Sequence, residues 1–327
     1  MTFWRTFHSV NEDLAFYLGL SLNFLLLALI KKIKIQSMQK YNILLFQCCC
    51  IDLIQVFTSF IVKPITIFHH KNVYFLSNGF LRDIGGWIEM LGIVSWATSV
   101  FFCICSMPVS YIFRYQILCL GAEISRKFYI TSLLLALSSA STFGMIVWKF
   151  HYLDNQNLTY LDEFHFPWLI DDGEEKMRAA SVCFAGTFGM WFSIVDVVFL
   201  TFIPYGIIII YNIKILTHLK YSKHILSVTC RRVQTDLNRI LLAQATIPIF
   251  SAFLPMTIQL LSVLIDFDLV FTGFICGILY SWIPVGNAVT VLLFVTAYRK
   301  KLKQLVSRLN PRLPQLMSIS ATVTTIR

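Results

Sequence analysis

Ser106-Met-Pro-Val-Ser-Tyr-Ile-Phe-Arg-Tyr-Gln116 closes the third long apolar stretch of the chain, which begins at Trp87. A helix that has crossed hydrocarbon reaches a water boundary here, with an arginine and two tyrosines on its final turns. Thirty helical residues reach about 45 Å, more than the roughly 30 Å of hydrocarbon in a bilayer, so this span tilts or projects. The rest of the chain can be arranged around it.

Composition supports the membrane reading. Of the residues, 57% are hydrophobic and 13% charged, and the mean hydropathy is +0.70. That leaves too little polar surface to cover a soluble globule of 327 residues. Seven apolar stretches, at about 14–30, 41–68, 87–116, 128–148, 182–211, 240–265 and 269–297, take up most of the length. They predict a single all-α domain, a bundle of seven transmembrane helices. A signal peptide at the start is disfavoured, because no basic segment precedes Leu14 and the cluster Lys31-Lys-Ile-Lys34 follows the apolar run as a stop-transfer flank.

The net charge of +10 does not point to nucleic acid, because the cations are sorted by loop. Of the 27 Lys and Arg, 20 fall in residues 31–40, at Arg114, Arg126 and Lys127, from Lys214 to Arg239, and from Arg299 to Arg327. The opposite loops hold nearly all the acidic residues, seven of them in the long loop 149–179. The positive-inside rule then places the N-terminus outside and the C-terminus inside. The sequon Asn157-Leu-Thr159 falls in the acidic outer loop, and Asn157 is expected to be glycosylated.

After the last span, Leu302, Leu305, Val306 and Leu309 share one helical face among cations, and Pro311 ends the pattern. Residues 298–310 are predicted to lie as a basic amphipathic helix on the anionic lipid of the inner leaflet, followed by a flexible tail over 311–327. The nine cysteines form no metal-binding spacing and are expected to be small packing residues without a disulfide between outer loops.

Charges inside spans carry the functional expectations, since an Asp near the bilayer centre costs about 2.5 to 3.5 kcal/mol and normally faces the bundle interior. Asp52 in span two is read as an ion or water site, as a switch between helices, or as a structural hydrogen-bond partner of Asn23 or Asn287. Trp87, Glu89, Trp191, Asp196 and Trp282 are candidates to line an outward pocket, aromatic and acidic, suited to small organic or cationic ligands. The plainer account of each tryptophan is an interfacial aromatic belt. Pro204, Pro248, Pro255 and Pro284 are possible bend points.

Catalytic arrangements are missing. His69, His70, His151 and His165 fall in outer loops or at span ends, no His-x-x-x-His occurs, and no phosphate loop or serine elbow is present. No enzyme activity and no cofactor are expected. A seven-helix ligand-gated channel or transporter is the alternative class, but the chain has no internal repeat or paired half-helices.

Three segments carry a family resemblance: Met38-Gln-Lys-Tyr-Asn-Ile-Leu-Leu-Phe-Gln-Cys-Cys-Cys-Ile-Asp52, Leu76-Ser-Asn-Gly-Phe-Leu-Arg-Asp-Ile-Gly85, and Ser106 to Tyr115. With Gln244-Ala-Thr-Ile-Pro248 and Ala297-Tyr-Arg299, the layout over residues 14–305 resembles nematode serpentine chemoreceptors of the Str superfamily, most closely class delta. That resemblance implies a G-protein-coupled receptor for a small-molecule chemical cue, in the plasma membrane of sensory cilia, signalling to a heterotrimeric G protein. By position and chemistry, Arg114, Tyr115, Arg231 and Arg232 would face that G protein. Two features depart from rhodopsin-like receptors: Phe113 replaces a carboxylate before Arg114, and Pro284-Val-Gly-Asn287 replaces an Asn-Pro-x-x-Tyr motif. Asp236 is the candidate resting partner of Arg114.

Overall fold

The computed structural model describes residues 3–32, 39–69, 72–82, 84, 86–121, 125–151, 160–162, 176–221 and 270–295, with isolated helical positions between 246 and 304. Its helices are α1 (Phe3–Lys32), α2 (Gln39–Val62), α3 (Gly86–Cys119), α4 (Arg126–Ile146), α5 (Phe188–Tyr221), α6 (Val270–Ser281) and α7 (Ile283–Phe294). A π-helical turn, Val147–His151, extends α4. Among the described residues, six helical stretches are long and apolar enough to cross a membrane, with α6 and α7 together forming the last. Most of the sixth apolar stretch, 240–265, lies outside the described residues, as do 305–327.

The bundle is built around α3, whose most apolar part is 72% buried, against 28% for α5. It packs on α2, α4 and α5. Phe24, Phe46, Leu135, Phe199 and Ile210 face outward on the other helices. Such a large apolar belt fits hydrocarbon and would be unstable in water.

Two elements depart from the sequence expectation. Span two was expected to continue as helix to Phe68, but α2 ends at Val62 and the chain turns at Lys63, whose φ is 45°. Pro64 disfavours a right-handed helical residue before it, and the β-branched run Ile65-Thr-Ile67 forms a strand instead. The strand β1 (Pro64–His69) pairs antiparallel with β2 (Asn72–Ser77), Pro64 opposite Ser77 and His69 opposite Asn72. Span five was expected from Val182, yet Val182 lies in a strand and helix begins at Phe188.

The acidic loop contributes β3 (Tyr160–Asp162) and β4 (Lys176–Arg178), which pair with each other, and just after it β5 (Ser181–Cys183) adds to β2. On one face of the three-stranded sheet Ile65, Ile67, Leu76 and Val182 are fully buried against Phe274 of α6. Hydropathy cannot separate such buried strands from helix. The sheet ties the loop before α5 to the segment between α2 and α3 by backbone pairing, while the eight described cysteines are free thiols.

The segment after β2 caps α2. Asn78 and Gly79 donate backbone N–H groups to the carbonyls of Lys63 and Val62, both at 3.0 Å, and Phe80 donates to Ile61 at 3.0 Å. Ser77 Oγ donates to the Val62 carbonyl at 2.8 Å. These donors satisfy carbonyls that a helix end leaves without partners. Glycine is required at 79, because a Cβ there would stand 2.2 Å from the Ile61 oxygen.

The first eleven residues of α1 were read as lying outside the membrane span, yet they are helical and packed. Arg5 Nε donates to Asn78 Oδ1 and Asn78 Nδ2 to the Arg5 carbonyl, both at 3.3 Å. Lys63 Nζ sits 2.7 Å from Asp13 Oδ1 and donates to Ser9 Oγ at 2.8 Å. Glu12 accepts from Ser281 Oγ. The N-terminal turns thereby join the capping segment to the end of α6.

Candidate functional site

Beneath the sheet lies a cavity of about 130 Å³. Thr66, Phe68, Val73, Phe75 and Cys183 roof it from the three strands, and Trp96, Ala97, Val100 and Phe101 of α3 line one wall. Phe143 and His151 come from α4 and its π turn, Met190, Ser193, Ile194 and Val197 from α5, and Tyr280 from α6. No Asp, Glu, Lys or Arg is among these sixteen residues.

His151 is 2% exposed and its ring stacks on Phe75, centroids 6.0 Å apart and planes 21° apart. Its Nε2 is 3.1 Å from Ser193 Oγ, and Ser193 in turn donates to the Gly189 carbonyl at 2.8 Å. The π turn changes the register at the end of α4, a device common at functional sites. Sequence reasoning placed His151 in a loop. A signal was present, since His151 falls four residues after Val147 and eight after Phe143, continuing the buried stripe of α4.

The expected pocket residues lie elsewhere. Trp87 is 59% and Trp191 52% exposed on the outer surface of the bundle, where an aromatic belt would sit. Glu89 is buried in the first turn of α3. Asp196 faces α4, with Thr142 Oγ1 donating to its carboxylate at 3.0 Å. Trp282 donates Nε1–H to Asn11 Oδ1 at 3.0 Å. None of the five lines the cavity, because a count along one chain gives a residue's depth but not the face it presents.

Below the cavity the seventh span is broken. Pro284 has no N–H to give the Tyr280 carbonyl, four residues earlier, and Gln55 of α2 donates its Nε2 to that carbonyl at 3.0 Å. Asn23 Nδ2 donates to the Gly19 carbonyl at 2.9 Å and to the Pro284 carbonyl at 3.4 Å. One turn deeper, Asn287 Nδ2 donates to Asp52 Oδ1 at 2.9 Å. The structure thus joins Asp52 to Asn287 and places Asn23 on the break itself. The same compensation recurs in α5, where Pro204 leaves the Leu200 carbonyl and Cys105 Sγ lies 3.8 Å from it.

At the far end of α3, Arg114 is 1% exposed and Phe113 packs on Phe128 and Tyr129. Tyr115 meets Tyr211 edge to face, with Lys214 Nζ 5.6 Å from the Tyr115 ring centroid. Arg231, Arg232, Asp236 and Asn157 lie outside the described residues. Among the described residues no group of three His, Cys, Asp or Glu is placed to hold a metal ion.

The family model for serpentine type 7TM GPCR chemoreceptor Srd matches residues 9–304. The chain belongs to that family. The match spans the residues that line the cavity and those of the helix break in this Srd chemoreceptor. Among solved structures, a crystal structure of squid rhodopsin aligns with a TM-score of 0.62 at 11% identity, over 92% of this chain and 85% of that one. At that identity the likeness shows the fold alone, a GPCR-like bundle. No curated protein matches the chain in sequence.

Proposed function

We propose that this Srd chemoreceptor binds an external small molecule in the cavity beneath the three-stranded sheet and signals to a heterotrimeric G protein at the opposite end of α3. The observation that carries the reading is the cavity's position against Tyr280, whose carbonyl is the one that Pro284 leaves to Gln55. A ligand pressing on Tyr280 acts on a helix already divided at Trp282 and held by side chains from α1 and α2. Movement there reaches Asn287 and Asp52 within one turn, and α3 follows through its packing on α2.

With the N-terminus outside, the orientation that the Lys and Arg distribution supports, the sheet faces the exterior and the Arg114, Tyr115 and Lys214 region faces the cytoplasm. Arg231 and Arg232 would add cations to that face. The plasma membrane, and by family resemblance the sensory cilium, is the proposed location. The test is receptor-stimulated nucleotide exchange on G proteins in a cell-expressed preparation offered a broad panel of small volatile compounds. A ligand-evoked response that Ala97→Leu abolishes supports the reading. Ligand-evoked current that persists without any G protein overturns it in favour of a channel.

A further inference from the structure

Resting on that reading, we infer that the cavity selects a small, uncharged, hydrocarbon-like molecule, by size and apolarity and without a hydrogen bond. Size comes first. A volume of about 130 Å³ is close to that of an apolar cavity known to stay dry and admit benzene, which sets the ligand at about six to eight non-hydrogen atoms. Charge comes second. With no Asp, Glu, Lys or Arg among the described lining residues, a charged ligand would lose its hydration without a counter-charge, so the cationic ligands expected from an acidic pocket are excluded. The sixth apolar stretch adds no such charge, because residues 240–265 contain no ionisable side chain.

Polarity decides the rest. The surface that the described lining residues turn to the cavity is almost wholly apolar. Ser193 Oγ donates to the Gly189 carbonyl and lies 3.1 Å from His151 Nε2, so its hydroxyl is already in use. His151 Nδ1 and Trp96 Nε1 are buried behind neighbouring atoms, where no ligand atom reaches them. On the roof, Thr66 pairs with Phe75 and Phe68 with Val73, and the polar backbone groups of such a ladder run between strands in the plane of the sheet. Phe68, Phe75, Phe101, Phe143 and Met190 offer only ring and thioether surface. A hydroxyl brought into this space gives up its bonds to water and finds none in return, whereas a methyl group in the same place gives up nothing.

The test measures dissociation constants of toluene, phenol and benzylammonium on the purified full-length receptor by thermal-shift titration. Each is read against Ala97→Leu, or Ile194→Phe if that variant does not fold, so that uptake by the detergent cancels. Toluene and phenol differ only by a methyl in place of a hydroxyl. Toluene is expected to bind at least about tenfold tighter than phenol, and benzylammonium not to bind. Val197→Thr puts a hydroxyl on the wall at nearly constant shape and should narrow the preference by about threefold, the contribution of one net hydrogen bond. If Val197→Thr does not fold, Ile194→Thr serves. Phenol binding as tightly as toluene, saturable binding of benzylammonium, or a preference unmoved by the threonine overturns the inference. The filled-cavity variant separates that failure from failure of the site: where it abolishes binding, the site stands and only the apolar selection falls. If the probes bind it as well as the natural chain, or never bind at all, both are refuted.

Discussion

Replacing Gln55 by Leu isolates the interaction that holds the broken seventh span. Gln55 is fully buried, and its Nε2 supplies the hydrogen bond that Pro284 cannot give to the Tyr280 carbonyl. Leucine keeps the apolar bulk but leaves that carbonyl without a donor, a loss of about 1 to 3 kcal/mol. Gln55 Oε1 has no partner among the described residues, so its removal returns part of that loss and sets the expectation at about 1 to 2 kcal/mol. The unfolding equilibrium should shift by about five- to thirtyfold, measured by reversible denaturation in mixed micelles. Pro284→Ala provides the decisive control, because an alanine at that position restores an N–H four residues after Tyr280. In that background Gln55→Leu should cost less than about 0.5 kcal/mol, giving a coupling of roughly 1 kcal/mol in the double-mutant cycle. Equal costs in the two backgrounds would refute the compensation argument.

Gly79→Ala should sharply reduce the yield of folded receptor, since its Cβ would meet the Ile61 carbonyl oxygen at 2.2 Å with only backbone to yield, whereas Gly206→Ala, with nothing within 4 Å, should leave the yield unchanged or raised in the same size-exclusion assay. Asp52→Asn retains an oxygen for Asn287 Nδ2 and should cost less than about 1 kcal/mol, while Asp52→Leu strands that buried donor and should cost about 1 to 3 kcal/mol by denaturation.

The helical bundle was legible because a membrane span must satisfy its backbone internally and cover itself with apolar side chains, which writes a long hydrophobic run into the sequence. The start of α3 at Gly86 and the helical run from α4 into its π turn at Trp148 could be approached in this way. The same rule misread 64–68 and 182–183, where the apolar residues are strands buried from both sides. Leu76 to Gly85 could be recognised as a family feature without its purpose being visible. Its Ser77, Asn78 and Gly79 act on carbonyls some fifteen residues earlier and on Arg5, and no local pattern reports such distant partners.

For Ser106 to Gln116, the sequence alone determined that a helix ends at a charged boundary and that Arg114 has no acidic neighbour before it. Only the tertiary structure decided that Arg114 is buried and Tyr115 packs on Tyr211. The cavity beneath the sheet divides in the same way. Composition and periodicity determine which residues avoid water, but a cavity is made where several helices and a sheet fail to fill the space between them. That depends on the rotation of each helix, on the π turn that carries His151, and on a proline whose missing N–H is answered from another helix.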